Sequence, residues 1–210
     1  MSMTSTTNKV LQKFEGIYYF QDLLTVDECN DIIEYFDRIH SFDAHVQGPA
    51  LDGEKFYNDA EVNFKTRKGK VKFERGIEKV PHSFKLVSAM ETAAGEMGII
   101  LGDTDDHVDF QLAIYDSIGD KFNGHKDQDL SLMSFNKDIR KMSASLQLSR
   151  PEEYEGADLW ISPDGRTKTS ALIQKGSFTV FPSFVVHGIE PLKSGKRLAL
   201  VLWYKGPAWR

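Results

Sequence analysis

Two histidines, an aspartate and an arginine in the second half of the chain have the types and spacing to do chemistry at a metal. His125-Lys126-Asp127 is an HxD. In an extended segment, residues two apart project from one face, so an imidazole and a carboxylate can share an ion. Alone, the motif fits a solvated surface loop equally well. His187 follows the apolar run Phe178 to Phe181 and lies in Phe184-Val185-Val186-His187-Gly188. By itself it fits a hydrogen-bonded core histidine. Together the three can complete a two-histidine, one-carboxylate facial triad, an arrangement that leaves Fe(II) coordination positions open on one side. Arg197 opens Arg197-Leu198-Ala199-Leu200-Val201-Leu202-Trp203-Tyr204, the most hydrophobic run in the chain. A guanidinium there is costly to bury unless an anion meets it, and its planar fork suits a carboxylate held bidentately. The arginine therefore predicts a carboxylate ligand, the plain alternative being a strand-mouth arginine that is exposed or paired with an internal aspartate.

These residues must be positioned by β-structure. Beyond residue 108 the chain reads as short strands: Phe110 to Tyr115, Met142 to Leu148, Asp158 to Ile161, Thr169 to Gln174, Ser177 to Phe181 and Arg197 to Tyr204. Helices precede this set rather than alternate with it, which predicts an antiparallel sandwich or jelly roll with helices outside. Parity adds detail. If Arg197 points inward, Ala199, Val201 and Trp203 share its face, while Leu198, Leu200, Leu202 and Tyr204 take the other. On Phe110 to Tyr115, the same parity groups Gln111 and Ala113 with Tyr115.

Upstream, the first residues read as a frayed tail, followed by a short strand at Gly16 to Phe20. Thr25-Val26-Asp27-Glu28 has the form of a capping box, and Val26, Cys29, Ile32, Ile33, Phe36 and Ile39 recur at helical spacing. A second helix is predicted from about Ser83 to Met97 with the stripe Phe84, Val87, Met90, Ala94 and Met97. Between His40 and Pro81 periodicity fades into loop with short strands at most. There Lys65, Arg67, Lys68, Lys70, Lys72 and Arg75 form a basic cluster, read as a solvated loop face with a steering patch for an acidic partner as the sharper alternative.

The chain has 210 residues, 40% hydrophobic and 27% charged, with a net charge of -5. That is enough to bury a core without disulfide or metal staples, and it argues against general polyanion binding. A single cysteine, Cys29, excludes an intrachain disulfide, a CxxC pair and a thiolate zinc cluster. No leader-like or membrane-spanning apolar run is present, so a soluble, cytoplasmic protein is expected.

The ordered set Tyr115, His125-Lys126-Asp127, Tyr154-Glu155-Gly156-Ala157-Asp158-Leu159, Gly176 to Phe181, His187-Gly188 and Gly195-Lys196-Arg197 resembles the Fe(II)- and 2-oxoglutarate-dependent oxygenases. The likeness covers about residues 108 to 207 and is closest to the prolyl 4-hydroxylase-like branch, including PKHD-type hydroxylases. The resemblance implies an α+β, mainly β fold, a double-stranded β-helix (jelly roll) with N-terminal helices packed against one face. It implies one domain over 1–210, with a flexible tail at 1–14, a strand, helices and loops at 15–107, and the β-helix core at 108–207. It further implies that His125, Asp127 and His187 ligate Fe(II), that Arg197 pairs with the distal carboxylate of 2-oxoglutarate, and that Tyr115 donates a hydrogen bond to the same co-substrate. With O2, and ascorbate as an accessory, the reaction would hydroxylate an unactivated C–H bond and release succinate and CO2.

A protein or peptide side chain is the substrate this branch implies, with a small molecule as the alternative. A nucleobase is disfavoured because the basic run interleaves only Phe73. A zinc hydrolase or a non-catalytic jelly-roll module would use the same three ligands but predicts neither Arg197 nor Tyr115. Family members often carry Gly-Gly-Glu-Leu where this chain has Gly156-Ala157-Asp158-Leu159, a departure expected near the substrate entrance. The carboxylate at Asp127 disfavours a halogenase-like site. Phe178, Phe181, Phe184 and Trp203 are candidate pocket walls, and 45–80 and 129–141 are candidate loops over a substrate.

Overall fold

The computed structural model describes residues 10–14, 16–44, 67–103, 107–128 and 138–209. In chain order the elements are β1 (Val10–Phe14), β2 (Ile17–Phe20), α1 (Val26–Asp37), β3 (Phe42–Asp43), β4 (Arg67–Lys68), β5 (Lys70–Arg75), α2 (Ser83–Glu96), β6 (Val108–Tyr115), β7 (Lys121–His125) and β8 (Ile139–Gln147). A 3-10 turn at Pro151–Glu153 leads to β9 (Tyr154–Gly156), β10 (Leu159–Ser162), β11 (Thr169–Ser170), β12 (Phe178–Pro182), β13 (Val186–Ile189), β14 (Leu192–Gly195) and β15 (Arg197–Gly206).

Eight strands form the larger sheet in the order β1-β2-β12-β8-β15-β6-β5-β3, and five form a smaller one, β11-β10-β13-β7-β4. Neighbouring strands are antiparallel throughout, and a separate pair, β14-β9, completes the set. This is the double-stranded β-helix that the family resemblance implies. Its centre is β15, which lies between β8 and β6 with Leu200 opposite Leu146 on one side and Leu112 on the other.

The two faces of β15 have separate roles, as parity requires. Leu200, Leu202 and Tyr204 join Cys29, Ile32 and Phe36 of α1 and Leu86 and Met90 of α2 in the main core. Ala199, Val201 and Trp203 line the cavity between the sheets together with Arg197. Each fully buried Phe, Leu or Met in that core contributes roughly 1.5–3 kcal/mol. The capping box of α1 is formed: Thr25 Oγ1 accepts from the Glu28 N–H at 3.2 Å, and the Glu28 carboxylate accepts from the Thr25 N–H at 3.0 Å.

Several expectations need correction. Val10–Phe14 is not tail but a strand that pairs with β2, so the expected short strand is the second arm of a hairpin. The larger sheet is not confined to 108–207 either, since β2 and β5 are among its interior strands. Phe84 is 67% exposed, because the buried stripe of α2 runs through Leu86, Val87, Met90, Ala93 and Ala94 and leaves residue 84 on the opposite side. Val26 lies at the edge of the α1 stripe and is also exposed. The run predicted from Thr169 to Gln174 pairs only at Thr169 and Ser170.

Among its described residues, the stretch read as loop with short strands holds three, β3, β4 and β5. Of the candidate covering loops, 67–80 contains β4 and β5, and 139–141 begins β8, while 45–66 and 129–137 lie outside the described residues. The basic cluster is a solvated face only in part: Lys68, Lys70 and Arg75 keep exposed side chains, whereas Arg67 and Lys72 are buried. Lys70 pairs with Asp116 at 2.9 Å, Arg75 with Asp109 at 3.0 Å, Lys68 approaches Asp120 at 3.5 Å, and buried Lys72 donates to the Phe36 carbonyl at 2.8 Å. Lys65 lies outside the described residues.

Candidate metal centre

β7 and β13 are antiparallel neighbours, and their register sets His125 directly opposite His187. Gly124 and Gly188 stand next to these histidines and therefore face the other way. There they make room for Trp160 of β10: a Cβ would lie 2.8 Å from its indole at Gly124 and 2.7 Å at Gly188. One aromatic ring thus backs both histidine-bearing strands.

The ring nitrogens are ordered by the backbone. His125 Nδ1 lies 2.9 Å from the Asn123 carbonyl, and His187 Nδ1 lies 3.0 Å from the Val185 carbonyl. A carbonyl can only accept, so both rings hold a proton on Nδ1 and turn Nε2 toward Asp127. Asp127 Oδ1 is 3.5 Å from His125 Nε2, and Oδ2 is 3.2 Å from His187 Nε2. One donor atom from each residue falls within a 4.8 Å group; among the described residues no other set of His, Cys, Asp or Glu does so.

Asp127 itself lies just beyond the end of β7 and is held from the turn after β12. Its backbone N–H donates to the Ser183 carbonyl at 3.0 Å. Ser143 Oγ donates to Asp127 Oδ2 at 2.7 Å and lies 2.9 Å from Ser183 Oγ. Burial alone would raise the Asp127 carboxyl, but His187 and the imidazole hydrogen bonds outweigh it and hold the group well below its usual range. Burial would likewise lower His187, yet the Asp127 charge pushes it up, while burial dominates at His125 and lowers it. The outcome is a buried, ionised carboxylate between two imidazoles, a charge that only a proton or a metal cation can compensate.

Arg197 enters the same cavity from the other sheet. It is 3% exposed and lies opposite Tyr115 in the β15–β6 ladder. Its Nε donates to Gln147 Oε1 at 3.1 Å, and Gln147 is fixed in turn by donating to the Ser149 carbonyl at 3.0 Å and to the Tyr154 hydroxyl at 3.1 Å. One terminal nitrogen, NH1, is buried without a partner. An orphaned buried guanidinium donor is a position for an anion, since natural structures seldom leave such groups unpaired. The Tyr115 ring centroid lies 5.8 Å from this guanidinium, and burial raises its phenol.

Both sheets line the cavity, about 490 Å³ including its open mouth, and His125, Asp127, His187, Tyr115 and Arg197 all border it. The structure thus brings together every site residue predicted from sequence. Of the candidate walls, Phe181 and Trp203 line the cavity, whereas Phe178 belongs to the main core and Phe184 is 46% exposed beside Trp209. Ala157 packs against Tyr115 and Leu192, and it holds φ +50°, a backbone conformation that favours glycine. Ser143, Gln147, Trp160 and Arg67 were missed. Only Arg67 carried a signal, its charge, and the surrounding basic run disguised it.

Residues 110–205 match the family described as the 2OG-Fe(II) oxygenase superfamily. Over these residues, a little under half of the chain, the sequence is similar to that superfamily. A PKHD-type hydroxylase of Shewanella sp. (strain ANA-3) is 33% identical over 85 residues, 40% of this chain and 38% of the relative. A PKHD-type hydroxylase of Crocosphaera subtropica is 41% identical over 63 residues, 30% of this chain and 28% of that protein. The chain thus matches less than half the length of these relatives. Among solved structures, a prolyl-4-hydroxylase of Pseudomonas putida aligns with a TM-score of 0.61 at 18% identity, covering 90% of this chain and 92% of that one. The viral collagen prolyl hydroxylase of Paramecium Bursaria Chlorella virus-1 aligns with a TM-score of 0.59 at 17% identity, covering 90% and 96%. At these identities the likeness establishes the fold. The superfamily segment carries the triad, Tyr115 and Arg197, while the two helices and Arg67 lie outside it. No helix among the described residues is long and apolar enough to cross a membrane.

Proposed function

We propose that this chain is an Fe(II)- and 2-oxoglutarate-dependent hydroxylase acting on an unactivated C–H bond, with a protein or peptide side chain of the prolyl type as its substrate. The carrying observation is the convergence, in one cavity, of two imidazole Nε2 atoms, an ionised carboxylate and the unpartnered NH1 of Arg197. The donor set suits Fe(II), and the guanidinium suits the far carboxylate of 2-oxoglutarate. A zinc hydrolase would have no use for that buried arginine.

In this reading His125, Asp127 and His187 hold the metal, and the carbonyls of Asn123 and Val185 keep the two Nδ1–H groups turned away from it. When bound, the Fe(II) and 2-oxoglutarate pair supplies O2-dependent oxidation, which couples conversion of the co-substrate to succinate and CO2 with hydroxylation of the substrate. Arg197, oriented by Gln147, fixes the co-substrate, with Tyr115 donating a hydrogen bond beside it. Phe181, Val201 and Ala199 give an apolar wall that excludes water from the reacting groups. Ascorbate belongs to this proposal only as an accessory reductant.

The test is anaerobic addition of 2-oxoglutarate to Fe(II)-loaded protein, read by the visible metal-to-ligand charge-transfer band. The band is expected with iron and absent from the zinc-loaded sample and from His187→Ala. A folded, iron-loaded protein that gives no band would overturn the assignment.

A further inference from the structure

Arg67 lies outside the superfamily segment yet lines the same cavity, and it is only 9% exposed. It sits on β4 directly opposite Phe122 of β7, with its guanidinium 4.5 Å from the Phe122 ring centroid. Phe122 stacks in turn on His125, ring centroids 3.5 Å apart. Guanidinium, phenyl and imidazole form a three-layer stack that holds a positive charge beside the metal ligands. Burial is the main influence lowering the Arg67 pKa, opposed by Tyr115 and Asp127, with Arg140 adding repulsion. Arg140 lies over the Trp203 ring at 3.8 Å. Trp203 borders the cavity, and its buried Nε1–H has no acceptor. Arg197, with its unpartnered NH1, already offers a cation to the distal carboxylate of the co-substrate, which therefore does not require Arg67.

We propose that Arg67, with the Trp203 indole N–H, receives a carboxylate of the primary substrate, so that the cavity selects an amino-acid-type carboxylate close to the carbon presented to the metal. The inference rests on the hydroxylase reading above and specifies its substrate by a carboxylate, which a free amino acid would supply in place of the peptide side chain proposed there. The carboxylate has two sources, a free amino or imino acid and the last residue of a peptide. A planar fork held by stacking suits either, because its donors are oriented before the ligand arrives.

The test uses the full chain loaded with Zn(II) and 2-oxoglutarate and labelled for tryptophan indole NMR, with the Trp203 signal assigned by its loss in Trp203→Phe. L-proline, N-acetyl-L-proline and their two amides are titrated as probes. The Trp203 N–H is expected to shift saturably with a carboxylate form and not with its amide, and affinity should fall roughly tenfold or more in Arg67→Gln. Whether L-proline or N-acetyl-L-proline binds better separates the free from the chain-terminal source.

Three results would overturn the proposal: no shift with either carboxylate, equal shifts with the amides, or a carboxylate preference that survives Arg67→Gln. A fourth is Arg67→Gln weakening the anaerobic Fe(II)·2-oxoglutarate band as much as Arg197→Gln, which would give Arg67 to the co-substrate. Loss of that band in the unsubstituted protein would instead remove the hydroxylase reading itself.

Discussion

His125 and His187 are cross-strand partners, their ring centroids 4.3 Å apart, and each donates a hydrogen bond from its Nδ1–H to a carbonyl two residues earlier in the chain. The register of one ladder therefore sets both the spacing and the tautomer of the two imidazoles. Trp160 lies across the back of that ladder over Gly124 and Gly188.

Adding a methyl behind the ladder should disturb it. In Gly188→Ala the new Cβ would stand 2.7 Å from the Trp160 ring and 2.8 Å from the Phe122 carbonyl, neither of which can yield without moving β7 or β10. We expect a loss of about 1–3 kcal/mol of stability together with weaker Fe(II) binding. The double variant Gly188→Ala, Trp160→Ala should regain part of both, read by chemical denaturation and metal titration.

Ser143→Ala removes the hydroxyl that donates to Asp127 Oδ2 at 2.7 Å. The carboxylate then loses the bond that aims it at the imidazoles, and metal affinity should fall by about 10–100-fold, the usual effect of deleting a group that orients a ligand. Isothermal titration with Fe(II) or Zn(II) checks this, and an unchanged affinity would show that Ser183 and the histidines suffice.

Arg197→Lys keeps the charge but loses the fork that Gln147 orients at 3.1 Å. On the proposed assignment, 2-oxoglutarate affinity should drop by roughly a hundredfold, while Fe(II) binding stays close to normal. The anaerobic charge-transfer titration separates the two effects.

Cys29 is fully buried on α1, and its thiol is pushed up to about 11, mainly by burial. Native protein at mildly alkaline pH should therefore resist alkylation that the unfolded chain undergoes readily. The folded pKa lies above the unfolded one, so this thiol's contribution to stability is complete below pH 9 and declines as pH rises toward 11. Rapid native labelling would contradict the buried position.

Thr25→Ala should cost about 1 kcal/mol, because the Glu28 N–H loses its acceptor and the capping box is broken. The effect should appear in thermal unfolding without a change in metal affinity, since α1 packs on the face of the larger sheet opposite the cavity.

Much of the site was legible because its signals are local. The alternation along Arg197 to Tyr204 assigns Arg197, Ala199, Val201 and Trp203 to one face by side-chain period alone, and the cavity is lined by those four. The HxD, the lone His187 and the capping box are likewise short-range patterns whose chemistry follows from residue type. What remained hidden depends on which strands become neighbours. Ser143 reads as an ordinary strand serine until β8 is set beside β12, which brings it to Asp127 and Ser183. Arg67 reads as one charge in a basic run until β4 pairs with β7, and its guanidinium is then stacked on Phe122 and buried. The neighbouring lysines, equal to it in sequence, meet Asp116, Asp120 and the Phe36 carbonyl instead. Charge and period are properties of a segment, and the sequence by itself determined those. Sheet order joins residues distant in the chain through backbone hydrogen bonds that nearly every residue type can make, so only the tertiary structure decided which charge enters the cavity and which faces water.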